Sequence, residues 1–218
     1  MVLLFSLLAK MVLHKNEKNK IPMIVMPFVK RNPNTLDAAL LSVENARGLM
    51  PVLLVGNPEY KPGWCSHFQC IESPPLPSKI LENAIEKDVR GDSKQFIEWR
   101  TKEAWNALFA MQSFLKTKRE FMIWLQDDVF VLDFYNLPMK DLVCLRVGKE
   151  YCGMVSYLMK RWVIEEFVKR IKLEMEFKPI DWILDDLRLD LGLQIARVEK
   201  VKHKGGSSSN KKSRVVDI

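Results

Sequence analysis

The run Phe121-Met-Ile-Trp-Leu-Gln-Asp-Asp-Val-Phe-Val-Leu132 constrains this chain more than any other stretch. Five apolar residues without a break, Phe121 to Leu125, predict a strand buried on both faces of a central sheet. Asp127 and Asp128 follow almost at once, and unpaired charge is costly inside a core. The pair therefore belongs at the strand's carboxyl end, facing a cleft, where open α/β sheets bind their ligands. Two readings fit it. Carboxylates there can hold a hard cation such as Mg²⁺ against substrate phosphates. Alternatively they only begin a turn, since an aspartate pair alone is a weak motif.

The rest of the chain must then supply a sheet and its covering helices. With 218 residues, 48% hydrophobic and 28% charged, it is long enough for one large domain of ordinary globular composition. Ile21 to Phe28 predicts a first strand. Asn34 is the expected cap of a following helix, with Asp37 as its capping-box-like partner, Leu36, Ala39, Leu40 and Val43 at helical spacing, and Gly48 as the stop. Pro51 to Val55 predicts a second strand, so the order is strand–helix–strand and the sheet is expected to be parallel. Tyr60 to Pro77, rich in Pro and Gly, reads as a surface loop over the cleft, within which Cys65 and Cys70 can pair. Helices are expected near 78–86 and over 93–117, the second with Ile97, Ala104, Leu108, Met111 and Leu115 on its core face. Arg100, Trp105 and Asn106 lie near that face, either as packing and capping residues or within reach of a base or ribose. Strands at 142–147 and 152–159, a helix through Ile164 to Met175, a helix after Pro179 and a last strand over 194–201 complete the fold. No CxxC pair occurs among the four cysteines, which argues against zinc, and Cys144, in an apolar run, is expected as a buried thiol.

The formal net charge is +7, and Lys200, Lys202, Lys204, Lys211, Lys212 and Arg214 crowd the end of the chain. Such a tail suits nucleotide phosphates, nucleic acid, a membrane surface, or simply a solvated terminus. Met1 to Leu13 is apolar apart from Ser6 and Lys10. It is shorter than the ~20 residues of a spanning helix and is expected to pack on the domain or to make peripheral membrane contact. The expected division is an N-terminal segment (1–20), one α/β domain (21–209) and a basic tail (210–218).

Chemistry-bearing residues gather in three places. Gln126-Asp-Asp128 is the first. Asp181 and Asp185, four apart on one helix face, are the second, although Asp181 also suits the dipole of a helix N-terminus. His203 beside the loop Lys204-Gly-Gly-Ser-Ser-Ser209 is the third; glycines there allow close approach of backbone to phosphate, and hydroxyls and lysines can contact its oxygens. One carboxylate to hold metal and another to take a proton from a hydroxyl is what transfer from a nucleotide-activated donor requires.

Lys178-Pro-Ile-Asp-Trp-Ile-Leu-Asp185 and His203-Lys-Gly-Gly-Ser-Ser-Ser209 together resemble the N-acetylglucosaminyltransferase IV family of GT-A glycosyltransferases. That family carries a Pro-Ile-Asp-Trp-Leu-Leu-Asp run, then a His-x-Gly-x-x-Ser-Ser run, and before both a Leu-Glu-Asp-Asp run, where this chain has Leu125-Gln-Asp-Asp128. The resemblance covers about 100–209 and is only general over 21–56. It implies a GT-A-like fold with a mostly parallel sheet. It implies inverting transfer of a sugar, N-acetylglucosamine above all, from a UDP-sugar to a glycan hydroxyl, and a secretory compartment such as the Golgi. Residue by residue, Asp128 and His203 would hold Mn²⁺ or Mg²⁺, and Asp127 would sit beside the donor sugar. Asp181 would be the general base, with Asp185 its fallback. Arg31, at the end of Phe28-Val-Lys-Arg31, and Gly205, Ser208 and Ser209 would contact the donor. Gln126 departs from the family's glutamate and weakens the charge in the site. Other readings are a nucleotidyltransferase on a related sheet, an inactive relative, for which Gln126 argues, and a basic nucleic-acid-binding protein. Against the last, no aromatic residues are interleaved with the basic tail, so no specific nucleic-acid partner is expected.

Overall fold

The structure is a computed structural model, and it describes residues 19–28, 33–56, 63–146 and 153–203, with only the backbone at 33–35 and 203. Its elements run β1 (Met23–Phe28), α1 (Pro33–Ala46), β2 (Val52–Gly56), a 3₁₀ turn (Gly63–Ser66), β3 (Gln69–Glu72), α2 (Ser78–Glu86), α3 (Lys94–Leu115), β4 (Phe121–Leu125), β5 (Val129–Val131), β6 (Leu142–Cys144), β7 (Ser156–Lys160), α4 (Arg161–Glu174), α5 (Ile180–Asp190), β8 (Ala196–Arg197) and β9 (Val201–His203).

Seven strands form one sheet in the order β3-β2-β1-β4-β7-β6-β8, and β5 and β9 form a separate ribbon. β3, β2, β1 and β4 run parallel to one another, β7 is antiparallel to both β4 and β6, and β8 is parallel to β6. The expected α/β architecture, a mostly parallel sheet flanked by helices, is present. β4 is buried at all five positions, as its unbroken apolar run requires.

Alternation along the strands divides the core between two faces. Met23 and Val25 of β1, Leu53 and Val55 of β2, and Met122 and Trp124 of β4 pack with α3, α4 and α5. Ile24, Met26, Leu54, Ile123 and Leu125 point the other way, onto Leu36, Leu40 and Val43 of α1. Local signals set the helix ends. The Ser93 side chain accepts from the Phe96 amide and caps α3. The Arg161 guanidinium donates to the carbonyls of Leu115, Thr117 and Arg119 and so closes the far end of that helix. Gly48, at φ 54°, follows α1 in the left-handed conformation that glycine tolerates.

Several expectations are corrected. Asn34 lies inside α1, which begins at Pro33, so it is not the cap. Asp37 is not a capping partner: it accepts from the Trp64 indole at 3.1 Å. The loop over 60–77 contains strand β3, which its Pro and Gly content hid. The last strand is two short ones in different sheets, because the chain leaves β6 after Arg197 and reaches β5 at Val201. Cys65 and Cys70 are bonded to each other. Cys144 is buried as expected but is disulfide-bonded, not a free thiol.

Candidate functional site

A cleft of about 630 Å³ opens at the carboxyl ends of β1 and β4. Pro27 from β1 and Trp124, Gln126 and Asp127 from the end of β4 line its floor. One wall is the Ser73–Leu76 segment after β3, and the other is α3. The sheet places the acidic run here because a parallel strand must stop before its polar residues reach the core. The main-chain N–H of Gln126 donates to Val155 O at 3.0 Å and the Trp124 indole donates to Met154 O at 3.0 Å, which ties the strand end to the segment before β7. Asp127 and Asp128 are only 4% and 6% exposed. The turn reading also holds, since the Val129 amide donates to Gln126 O at 3.2 Å. The carboxylates begin a turn that leads straight into β5.

β9 then returns the end of the chain to this point. Val129 pairs with His203 and Val131 with Val201, so the backbone of His203 lies opposite the residue after Asp128. The Val131 amide donates to Ser42 Oγ at 2.9 Å, anchoring the ribbon on α1. Two sequence-predicted groups, 75 positions apart, thus meet at one strand pair. Arg31, Gly205, Ser208, Ser209 and the His203 side chain lie outside the described residues.

Asp181 and Asp185 stand on α5, which packs on the α3 and α4 side of the sheet. Asp181 is in the first turn, and its Oδ1 accepts from the Trp182 amide at 3.0 Å, as a helix N-terminal acid does. Both charges are felt at Tyr157, which sits on β7 directly opposite Trp124 of β4. Burial pushes the Tyr157 phenol well above its ordinary range; Asp185 adds to this, Arg197 and Arg188 oppose it, and Asp181 adds a little more. Burial also raises the Asp185 carboxyl, against the lowering effect of Arg188 and with help from Asp181 and Asp186. The α5 acids thus act electrostatically on Tyr157, on the strand next to β4, and neither is among the residues that line the cleft.

Three residues left open by the sequence now separate. Arg100 is fully buried, donating to Asp88 at 2.9 Å and to Phe177 O at 2.8 Å, and it holds the α2–α3 loop against the chain entering α5. Trp105 and Asn106 line the cleft, and the Trp105 indole donates to Pro74 O at 2.8 Å, joining the two walls. Sequence reasoning missed Trp99, Lys102 and Glu103, which also line it. Their spacing from Asn106 marks a second helix face, opposite the apolar one, that could have revealed them. Among the described residues of the loop expected over the cleft, only those after β3 line it. Trp64 and His67 border a separate groove with Asp37 and Leu41 of α1.

The donor set bears on a metal. Buried carboxylates at a strand end are the hard oxygen ligands that Mn²⁺ or Mg²⁺ takes. Among the described residues, no three His, Cys, Asp or Glu side chains gather into a ligand cluster. Among the same residues, no helix is long and apolar enough to cross a membrane.

No protein-family profile matches the chain. It is similar to the alpha-1,3-mannosyl-glycoprotein 4-beta-N-acetylglucosaminyltransferase B of Danio rerio, with 27% identity over 108 residues, 46% of this chain and 20% of that one. The A enzyme of Gallus gallus is 28% identical over 132 residues, 57% of this chain and 24% of that one. The chain thus spans a fifth to a quarter of the length of these relatives. Among solved structures, the glycosyltransferase GlyE of Streptococcus pneumoniae TIGR4 matches with a TM-score of 0.46 and 12% identity, over 83% of this chain and 46% of that one.

Proposed function

We propose that the chain is a GT-A-like glycosyltransferase domain that moves a sugar, N-acetylglucosamine, from UDP to a glycan hydroxyl with inversion. The observation that carries this reading is the cleft at the carboxyl ends of β1 and β4, with Gln126 and Asp127 in its floor and the backbone of His203 beside the end of the acidic run. The similarity to named N-acetylglucosaminyltransferases supports the donor sugar.

In this proposal the UDP moiety lies in the cleft, with Asp127 beside the donor sugar. Asp128 and His203 would hold Mn²⁺ or Mg²⁺, which when bound would neutralise charge on the diphosphate. Arg31, Gly205, Ser208, Ser209 and the lysines after Lys202 contact the phosphates. Asp181 accepts the proton of the acceptor hydroxyl as its oxygen bonds to the sugar's anomeric carbon. The bond from that carbon to the UDP oxygen breaks, and UDP leaves with the electron pair. A specific observation favours a second candidate for the base: burial raises the basicity of Asp185, one turn further along α5.

Turnover and UDP affinity of Asp181→Asn, Asp185→Asn and Asp128→Ala test the assignment together. The variant that lacks the base is expected to lose about 10²–10⁴-fold in turnover with UDP affinity unchanged. Asp128→Ala is expected to lose the Mn²⁺-dependent part of UDP binding. Parent-like transfer by both asparagine variants removes α5 from the chemistry, and UDP binding by Asp128→Ala equal to the parent's removes Asp128 from the site.

A further inference from the structure

Glu103 and Gln126 meet inside the cleft, one from α3 and one from the end of β4. Gln126 Nε2 donates to Glu103 Oε1 at 3.1 Å. An ionised carboxylate only accepts hydrogen bonds, so it dictates which end of the amide turns toward it. The amide nitrogen is committed to Glu103, and Oε1 remains as the acceptor that Gln126 can offer a ligand. The result is two acceptor side chains next to each other, sharing one negative charge.

The pair is held on rigid supports. Thr101, Ala104 and Ala107, around Glu103, are buried on α3, and Leu125 before Gln126 is buried in β4. Flat apolar surface lies alongside: Trp99, Trp105 and Pro74 line the same cleft, and Asn106 is one helical turn from Glu103. Two neighbouring acceptors match a vicinal diol, whose hydroxyls project side by side and donate together. Hydrogen bonds to an ionised acceptor are the stronger kind. A planar ring joined to a vicinal diol is the chemistry of a ribonucleoside.

We propose that Glu103 is the residue that makes this cleft specific for ribose, accepting from the cis-diol of the nucleotide together with a Gln126 that it orients. The inference rests on the donor-site reading and adds to it a residue from α3, outside the acidic run.

Calorimetry with UDP and 2′-deoxy-UDP on the full chain tests it, using Glu103→Gln, Gln126→Glu and the two substitutions combined. The parent should prefer UDP over 2′-deoxy-UDP by about tenfold to a hundredfold, the scale of one hydrogen bond to a charged group. Glu103→Gln should lose most of that preference. Gln126→Glu sets two carboxylates against each other and should weaken UDP binding. The combined variant, again with one charge and one amide, should regain it. An undiminished preference in Glu103→Gln, or a combined variant that binds no better than Gln126→Glu, overturns the assignment and leaves the donor-site reading standing. A parent that binds neither nucleotide overturns both.

Discussion

Asp185 is half-buried on α5, and burial is the first cause of its raised pKa. Arg188, 3.5 Å away, pulls in the other direction, and Asp181 and Asp186 push with the burial. A carboxyl raised on folding binds its proton more tightly in the native state than in the unfolded one. Stability then falls as pH rises from the ordinary carboxylate value through the raised one, and the loss persists above that window. Asp185→Asn is expected to remove this slope and to be more stable than the parent at neutral pH, as urea denaturation at pH 4, 5 and 7 will show. A parent curve no steeper than the variant's would contradict the burial argument. Arg100 illustrates the opposite case. Its charge is buried but met by Asp88 at 2.9 Å and by a main-chain carbonyl at 2.8 Å, so the same desolvation is compensated. Both residues are ordinary letters in the sequence. Their roles come from the groups that the fold sets beside them.

At the scale of elements, β1 and β2 are joined closely at their carboxyl ends. Phe28 is the register partner of Gly56, and a Cβ on Gly56 would lie 2.2 Å from Cζ of the Phe28 ring. The glycine leaves room for the ring to cover the strand end on the α1 face of the sheet. Gly56→Ala is expected to cost about 1–3 kcal/mol, the usual scale of overpacking. Adding Phe28→Ala to it should cost less than the sum of the two single changes, because the clash is then gone. Chemical denaturation of the three variants decides this, and simple additivity would mean that the ring is not what meets the new methyl group. The misread elements have a common cause. β3, β8 and β9 are two to four residues long. Strands that short carry too little alternation to be seen, and they exist because a neighbouring strand offers an unpaired edge.

Across the whole molecule, the sheet order puts β1 and β4 in the middle, with α3, α4 and α5 on one face and α1 on the other. β4 is buried at every position, whereas edge strand β3 has no fully buried residue. Backbone amides of β1 and β4 are therefore expected to exchange hydrogen only on global unfolding, and those of β3 and β8 through local opening. Exchange followed by mass spectrometry should show the cleft floor as the slowest region and the β3 edge among the fastest. Fast exchange in β4 would mean that the acidic run stands on a mobile support, unsuited to holding a ligand in fixed geometry.

The sequence by itself determined the features that local pattern encodes. The unbroken apolar run predicts β4 as an interior strand, and the aspartates after it predict a strand end, because burial of bare charge is too costly to allow another arrangement. Helical spacing of apolar residues predicts α1 and α3 nearly to their ends, and strand–helix–strand order predicts the parallel pairing of β1 and β2. The tertiary structure decided which distant segments meet. β9 returns His203 to the end of the acidic run, Glu103 reaches Gln126 across the cleft, and Arg100 is buried instead of facing a ligand. Hydrophobic burial, which is non-directional, is written in the local pattern. Hydrogen bonds and ion pairs need both partners at a set distance, and that distance exists only once the chain has closed on itself.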